Sequence, residues 1–223
     1  DLWEMRGQAL AIAAVVAVHG FGDVVGIVGM AMAAWLFVGT LSEFAARIRL
    51  FSAPLAESRR RLAGLPRAAW GMTLAHAGLA VAIAGMTGAG EWKQESVQLM
   101  TPGETRSFAG YDVTFTGATP ARGPNYDATL GTFTLGRDGR TIGTLTAEKR
   151  FYPVEGRETT EAAIRTTFFG DVYAVIGERQ SSGAYVTRLY YNPLVAWLWG
   201  GAAIMVVGGL LSLSDRRHRV GAP

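Results

Sequence analysis

The 223-residue sequence contains three histidines and no cysteine. A thiolate metal site, a cysteine nucleophile and a disulfide framework are therefore impossible in this chain. Among the histidines, His76 is the candidate for chemistry, because it lies in a run of 23 uncharged residues between Arg67 and Glu91. A neutral imidazole in a dry helical bundle can bind iron or copper through one ring nitrogen. A histidine that only hydrogen-bonds a neighbouring helix is the alternative, and residue types leave both open.

The element that positions His76 is predicted to be a membrane-spanning helix over residues 68–88. About 20 apolar residues cross the hydrocarbon core of a bilayer. His76 would lie about 13 Å into this helix, where ionisable groups are costly and usually functional. Small residues recur at helical spacing on other faces of the helix, which allows close helix packing. They are Gly71, Ala75, Gly78 and Ala82.

Two further apolar runs predict more crossings. Residues 192–213 form a helix-length run with aromatic residues at its start, as in an interfacial belt. The segment 1–41 is too long for one crossing, and it contains His19-Gly20-Phe21-Gly22-Asp23 in its middle. Two glycines beside polar residues favour a turn, so residues 1–41 are predicted to be a transmembrane hairpin. The alternative is one long tilted helix, in which His19 and Asp23 would be buried partners on a proton path.

Charge in the short segments predicts the orientation. Residues 42–67 form a basic loop and residues 214–223 a basic tail, and both should remain in the cytoplasm. His218 lies in that tail and is predicted to be solvated. Residues 89–191 would then lie outside the cytoplasm, in the periplasm.

Residues 89–191 read as a separate β domain. Short alternating runs are separated by turn residues, and Asp138-Gly139 between two such runs is a strong hairpin signal. Seven or eight short strands in about 100 residues suggest a small antiparallel barrel or sandwich. The charged triplet Glu148-Lys149-Arg150 is predicted to be strand-edge charge rather than a site. The fold class is thus membrane α-helical plus all-β, with four (alternatively three) transmembrane helices and the β domain inserted between the last two.

Other function classes find little support. The net charge of +3 is small and scattered, so nucleic acid is not an expected partner. No phosphate-binding loop, Ser-His-Asp order or calcium loop is present, and no catalytic residue is assigned. The chain begins with Asp1 and shows no cleavable signal peptide, which suggests a fragment of a longer chain or a trimmed one.

Seven blocks, in one order over residues 66–219, resemble the cytochrome c maturation protein F (CcmF) family, the membrane haem lyases of bacteria. They are Trp70-Gly71-Met72 with Ala75-His76-x-Gly78-Leu79-Ala80-Val81; Gly123-Pro124-Asn125-Tyr126; Ala147-Glu148-Lys149-Arg150-x-Tyr152; Thr160-Glu161-Ala162-Ala163-Ile164; Asp171-Val172-Tyr173 with Gly177-Glu178; Tyr190-Tyr191-x-Pro193-Leu194-Val195-x-Trp197-x-Trp199-Gly200-Gly201; and Gly208 to Arg217.

The resemblance implies that the chain is the C-terminal third of such a protein. His76 matches one of two histidines that hold a b-type haem within the membrane in that family. The second ligand and the family's tryptophan-rich signature would lie upstream. This segment alone is therefore not expected to be catalytically complete.

The resemblance also implies the reaction and its setting. Haem, as substrate, is joined through its vinyl groups to the CxxCH thiols of apocytochrome c, at the periplasmic face of the inner membrane. The membrane haem would reduce the incoming haem, with quinol as electron source. Implied partners are the haem chaperone of the maturation system, thiol-reducing and apocytochrome-binding subunits of the lyase complex, and membrane lipid.

Two readings from other classes remain. The chain could be a transporter or channel segment, with His19, Asp23 and His76 as a proton relay. It could also be a non-catalytic membrane scaffold that presents the β domain for assembly, with His76 merely packed.

Overall fold

The computed structural model describes residues 7–8 and 24–215. The chain divides into two compact units. One comprises the residues up to Trp92 and from Leu194 onwards, and the other comprises Lys93–Pro193.

The first unit is helical. Its four described helices are α1 (Val24–Arg47), α2 (Leu55–Ala63), α3 (Arg67–Glu91) and α4 (Val195–Leu213). Three of them, α1, α3 and α4, are long and apolar enough to cross a membrane by length and composition. Residues 7–8 are helical, but the rest of the predicted first leg and its turn at residues 19–23 lie outside the described residues. The fourth crossing therefore stays a prediction.

The segment predicted as a basic loop has more structure than expected. Helix α1 continues past Leu41 to Arg47, and α2 follows within the same segment. Between the two helices, Arg49 has φ 54°, a left-handed conformation that reverses the chain. The Ser58 hydroxyl donates a 3.0 Å hydrogen bond to the Arg49 carbonyl oxygen and so ties α2 to this turn.

Helices α3 and α4 pack through glycines, as the spacing of small residues predicted. A methyl group placed on Gly71 would lie 2.5 Å from the Gly208 carbonyl oxygen, and one on Gly78 would lie 2.7 Å from that of Gly201. The two backbones therefore touch with no side chain between them. Such close approach is how helices associate where lipid removes the hydrophobic drive.

The second unit is an antiparallel β-sandwich. Its nine described strands are β1 (Gln94–Met100), β2 (Thr105–Phe108), β3 (Tyr111–Arg122), β4 (Asp127–Arg137), β5 (Arg140–Tyr152), β6 (Arg157–Glu161), β7 (Ala163–Thr167), β8 (Gly170–Arg179) and β9 (Tyr185–Pro193). One sheet has the order β1-β9-β8-β7 and the other the order β2-β3-β4-β5-β6.

The turn between β4 and β5 confirms the predicted hairpin. Asp138 and Gly139 both have positive φ, 51° and 72°, as a two-residue turn of this kind requires. The structure has nine strands, where seven or eight were predicted. Only Ala162 separates β6 from β7. The chain changes sheets at this residue, so β6 and β7 pair with different neighbours.

The core of the sandwich lies between the two sheets. Its largest fully buried side chains include Phe115, Phe133 and Met100. The rings of Phe115 and Phe133 have centroids 5.2 Å apart. Alternation along each strand directs these side chains inward and leaves every second residue on an outer face.

Candidate functional site

A hydrogen bond within α3 fixes which ring nitrogen of His76 carries the proton. Its Nδ1 lies 2.8 Å from the carbonyl oxygen of Met72, one turn earlier in α3. A carbonyl oxygen only accepts, so Nδ1 must donate. In the neutral ring the lone pair then resides on Nε2, which is the state a metal ligand needs.

His76 is exposed on α3, although this helix packs on α1 as well as on α4. The small residues Gly71 and Gly78 face α4, whereas His76 is exposed. Leu79 and Met86 share its side of the helix and are 40% and 53% exposed. Because no charged residue occurs between Arg67 and Glu91, His76 is the one ionisable group along this apolar face.

The start of α3 depends on a residue whose role the sequence did not reveal. Pro66 precedes the helix and supplies no capping side chain. Asp215, 147 residues further on, accepts a 3.0 Å hydrogen bond from the Ala68 backbone N–H through Oδ2, and its side chain is buried. A carboxylate there satisfies a free helix N–H and suits the positive end of the helix dipole.

Several predicted residues cannot be placed around His76. His19, Asp23 and His218 all lie outside the described residues, so the proton-relay reading stays a prediction. Within the described ranges, no group of three or more His, Asp or Glu side chains could hold a metal ion. The described part of the chain thus offers a haem a single imidazole, which fits an axial ligand but not a complete protein metal site.

The charged triplet of β5 does not lie at a sheet edge as predicted, because β5 pairs with β4 on one side of it and with β6 on the other. Its side chains are nevertheless paired. Arg150 Nε donates to Glu148 Oε2 at 2.7 Å, and its guanidinium lies 4.5 Å from the ring centroid of Tyr126. Lys149 contacts Glu158 at 3.0 Å and also Glu178. These last three side chains border a cleft of about 520 Å³ in the sandwich.

The outer faces of the two sheets differ in chemistry. On the five-stranded sheet, threonines alternate with core residues and bond in pairs, such as Thr116 with Thr134, whose hydroxyl oxygens are 3.3 Å apart. On the four-stranded sheet the outward side chains include Val97, Leu99 and Ile164, each at least half exposed. Exposed apolar side chains on a sheet face are typical of a surface that meets a partner.

Comparisons with known proteins agree on one family. A family model described as the CcmF C-terminal beta-sandwich matches residues 91–193. The chain is 39% identical to the cytochrome c-type biogenesis protein CycK of Bradyrhizobium diazoefficiens, over 91% of this chain and 31% of the relative. It is 37% identical to CcmF of Pseudomonas aeruginosa, over 97% of this chain and 33% of the relative.

A solved structure shares the fold. The cytochrome c heme lyase CcmF matches 96% of this chain and 34% of its own length, with a TM-score of 0.68 and 19% identity. The chain spans about a third of the length of the curated relatives it matches. Since the family model covers the sandwich and the relatives cover both units, the chain belongs to the CcmF family and carries that family's C-terminal β-sandwich.

Proposed function

We propose that this chain is part of a cytochrome c haem lyase, with His76 as an axial ligand of a b-type haem in the membrane. The geometry of His76 supports the proposal most directly. Nδ1 is engaged by the Met72 carbonyl, and the His76 side chain is exposed on α3. The curated relatives are about three times as long as the chain, so a second ligand can come from the remainder of the protein.

The chain's own residues would orient the haem ligand and keep it dry. The Met72 hydrogen bond fixes which nitrogen of His76 is unprotonated. The packing of Gly71 and Gly78 on α4 holds α3 in place, and the lack of charged residues between Arg67 and Glu91 would place the ring in the dry interior of the membrane. A haem bound there would supply one-electron chemistry, with a potential set by its axial ligands and surroundings.

In this proposal the attached haem is a substrate. Each CxxCH thiol of apocytochrome c adds across one haem vinyl group, with sulfur and hydrogen going to its two carbons, so the reaction consumes no thiol from this chain. The absence of cysteine from the sequence is compatible with that chemistry. The reaction would occur at the periplasmic face of the inner membrane.

We assign the β domain a docking role in the same assembly. The apolar outer face of the four-stranded sheet supports this, because Val97 and Leu99 are 55% and 52% exposed on its edge strand. The partner would be apocytochrome c, the haem chaperone or a thiol-reducing subunit.

A reduced-minus-oxidised absorption spectrum tests the haem site. The sample is the detergent-purified protein with its upstream region, as wild type beside His76→Ala and His76→Met. The wild type should show a b-type signal that His76→Ala loses and that the thioether of His76→Met shifts. An identical signal in all three would remove His76 from the site, and no haem in any would overturn the haem-lyase reading.

Co-purification tests the docking role. Val97→Glu with Leu99→Glu should reduce recovery of the maturation partners. Thr114→Glu with Thr134→Glu on the five-stranded sheet is the matched control, because it adds the same charge to the polar face. Equal recovery with both variants would show that the apolar face docks none of them.

A further inference from the structure

The turn between β7 and β8 exposes two phenylalanines. Strand β7 ends at Thr167 and β8 begins at Gly170, so Phe168 and Phe169 form the entire turn. Each side chain is 67% exposed. Their ring centroids are 5.2 Å apart and the ring planes are nearly perpendicular, at 88°. The two rings thus form one compact apolar tip.

Hydrogen bonds hold this tip in shape. The Thr167 hydroxyl donates to the Gly170 carbonyl oxygen at 2.6 Å and accepts from the Gly170 N–H at 3.2 Å. The Tyr191 hydroxyl donates to the Phe169 carbonyl oxygen at 3.3 Å. These hydrogen bonds fix the backbone on both sides of the turn, and the two phenylalanine rings project outward from it.

The tip lies at the end of the sandwich where the chain enters and leaves. Gly170 pairs with Pro193 at the end of β9, and Gln94 at the start of β1 pairs with Tyr191. A methyl group on Gly170 would lie 2.8 Å from the Asn192 carbonyl oxygen. Pro193 is bonded directly to Leu194, the residue before α4, and Gln94 lies three residues beyond Glu91, the last residue of α3. Both connections to spanning helices thus leave from this end.

The opposite end of the sandwich also exposes an apolar side chain, but the chain does not connect to the spanning helices there. Val154, in the turn between β5 and β6, is 90% exposed. Lys149, near the end of β5, contacts Glu178, which lies at the other end of β8 from Gly170. Val154 is therefore an internal control, because it is an exposed apolar turn residue far from both chain connections.

We propose that Phe168 and Phe169 insert into the interfacial layer of the membrane that α3 and α4 cross. Strands that pair directly lie about 5 Å apart, so the tip stays close to the point where the chain passes into α4. Exposed aromatic rings at such a point gain free energy by burying their faces at the boundary of headgroups and acyl chains. The insertion would anchor the β domain on the lipid surface. It depends on α3 and α4 spanning the membrane and is independent of haem binding at His76.

Site-specific labelling tests the anchor, because the sequence has no cysteine of its own. The full chain is reconstituted in phosphatidylcholine nanodiscs as Phe168→Cys or Val154→Cys, and each thiol carries an environment-sensitive fluorophore. Lipids with a nitroxide near the headgroup should quench most of the emission at position 168 and little at position 154. Equal quenching at the two positions would overturn the proposal.

A second variant distinguishes insertion into lipid from docking on a partner protein. Phe169→Asp in the Phe168→Cys background places a charge in the tip and should abolish the lipid quenching, with unchanged thermal unfolding as evidence of an intact sandwich. Quenching that survives this change would show that the Phe169 ring does not drive insertion. A label that is shielded only when a partner protein is added, without lipid quenching, would assign the tip to protein docking and overturn the lipid anchor.

Discussion

The helical unit and the sandwich bury opposite kinds of side chain. In α3 every buried residue is an alanine or a glycine, and in α4 the buried residues are Gly201 and Gly208. In the sandwich the largest fully buried side chains are Phe115, Phe133 and Met100. One chain, 49% hydrophobic overall, thus contains two different packing schemes.

The difference follows from the solvent that each unit is built for. In water, burying a large apolar side chain removes much surface from solvent and stabilises the fold. In lipid, apolar side chains gain nothing by leaving the solvent, so helices gain from close backbone contact instead. The large apolar residues of the helices, such as Trp199 and Leu210, accordingly remain exposed.

Truncation of the sandwich core should have the largest effect. Phe133→Ala removes a fully buried ring that packs on Phe115, and should lower the free energy of unfolding by about 3–5 kcal/mol. Pulse proteolysis of the sandwich across a urea series measures this change. Phe151→Ala is the control, since Phe151 is 43% exposed. Comparable losses in the two variants would contradict a packed core at Phe133.

Enlargement of a helix glycine should come next. Gly78→Ala places a methyl group 2.7 Å from the Gly201 carbonyl oxygen and 2.8 Å from the Met205 nitrogen, both backbone atoms. Overpacking of this kind costs about 1–3 kcal/mol. Thermal unfolding in detergent, read as loss of the monodisperse species, should shift downward. The same change at Gly90, which has nothing within 4 Å, should have no such effect, and a matching loss there would argue against backbone contact.

Removal of the cap on α3 should have a smaller effect. Asp215→Ala deletes the acceptor for the Ala68 N–H and should cost about 1 kcal/mol, the usual value for a lost helix cap. Thermal unfolding in detergent is again the measurement. Asp215→Asn keeps an acceptor oxygen and should lose less. Identical behaviour of the two variants would mean that charge or burial, rather than the hydrogen bond, is the contribution of Asp215.

The smallest expected effect depends on pH. Burial raises the pKa of Asp171 above its ordinary value of 3.8, although hydrogen bonds from Thr166 and Thr167 oppose the shift. The folded sandwich therefore favours the protonated carboxyl, and it loses stability as pH rises from near 3.8 through the raised pKa. Asp171→Asn should be relatively more stable at neutral pH than at acid pH, by urea unfolding of both proteins. A difference that is constant with pH would contradict the raised pKa.

Much of the architecture could be predicted from local pattern. Charge-free runs of sufficient length predicted the positions of α3 and α4, and the small residues at positions 71 and 78 predicted the close packing that the structure shows. The Asp138-Gly139 turn could be predicted equally well, because a turn with positive φ at both positions favours these residue types. The change of sheet at Ala162 was not predicted, since it depends on which strands lie alongside and leaves no local signal.

The sequence by itself thus determined the positions of α3 and α4, the hairpin at Asp138-Gly139, the candidate ligand His76 and the separation of an apolar helical part from a β part. Only the tertiary structure decided that His76 is exposed on α3, that Asp215 accepts a hydrogen bond from Ala68, 147 residues earlier, and that the turn of Phe168 and Phe169 adjoins the end of β9. The physical reason is the separation in sequence over which each kind of interaction acts. Periodicity and turn chemistry act over a few neighbouring residues, whereas these juxtapositions arise when segments far apart in sequence pack together.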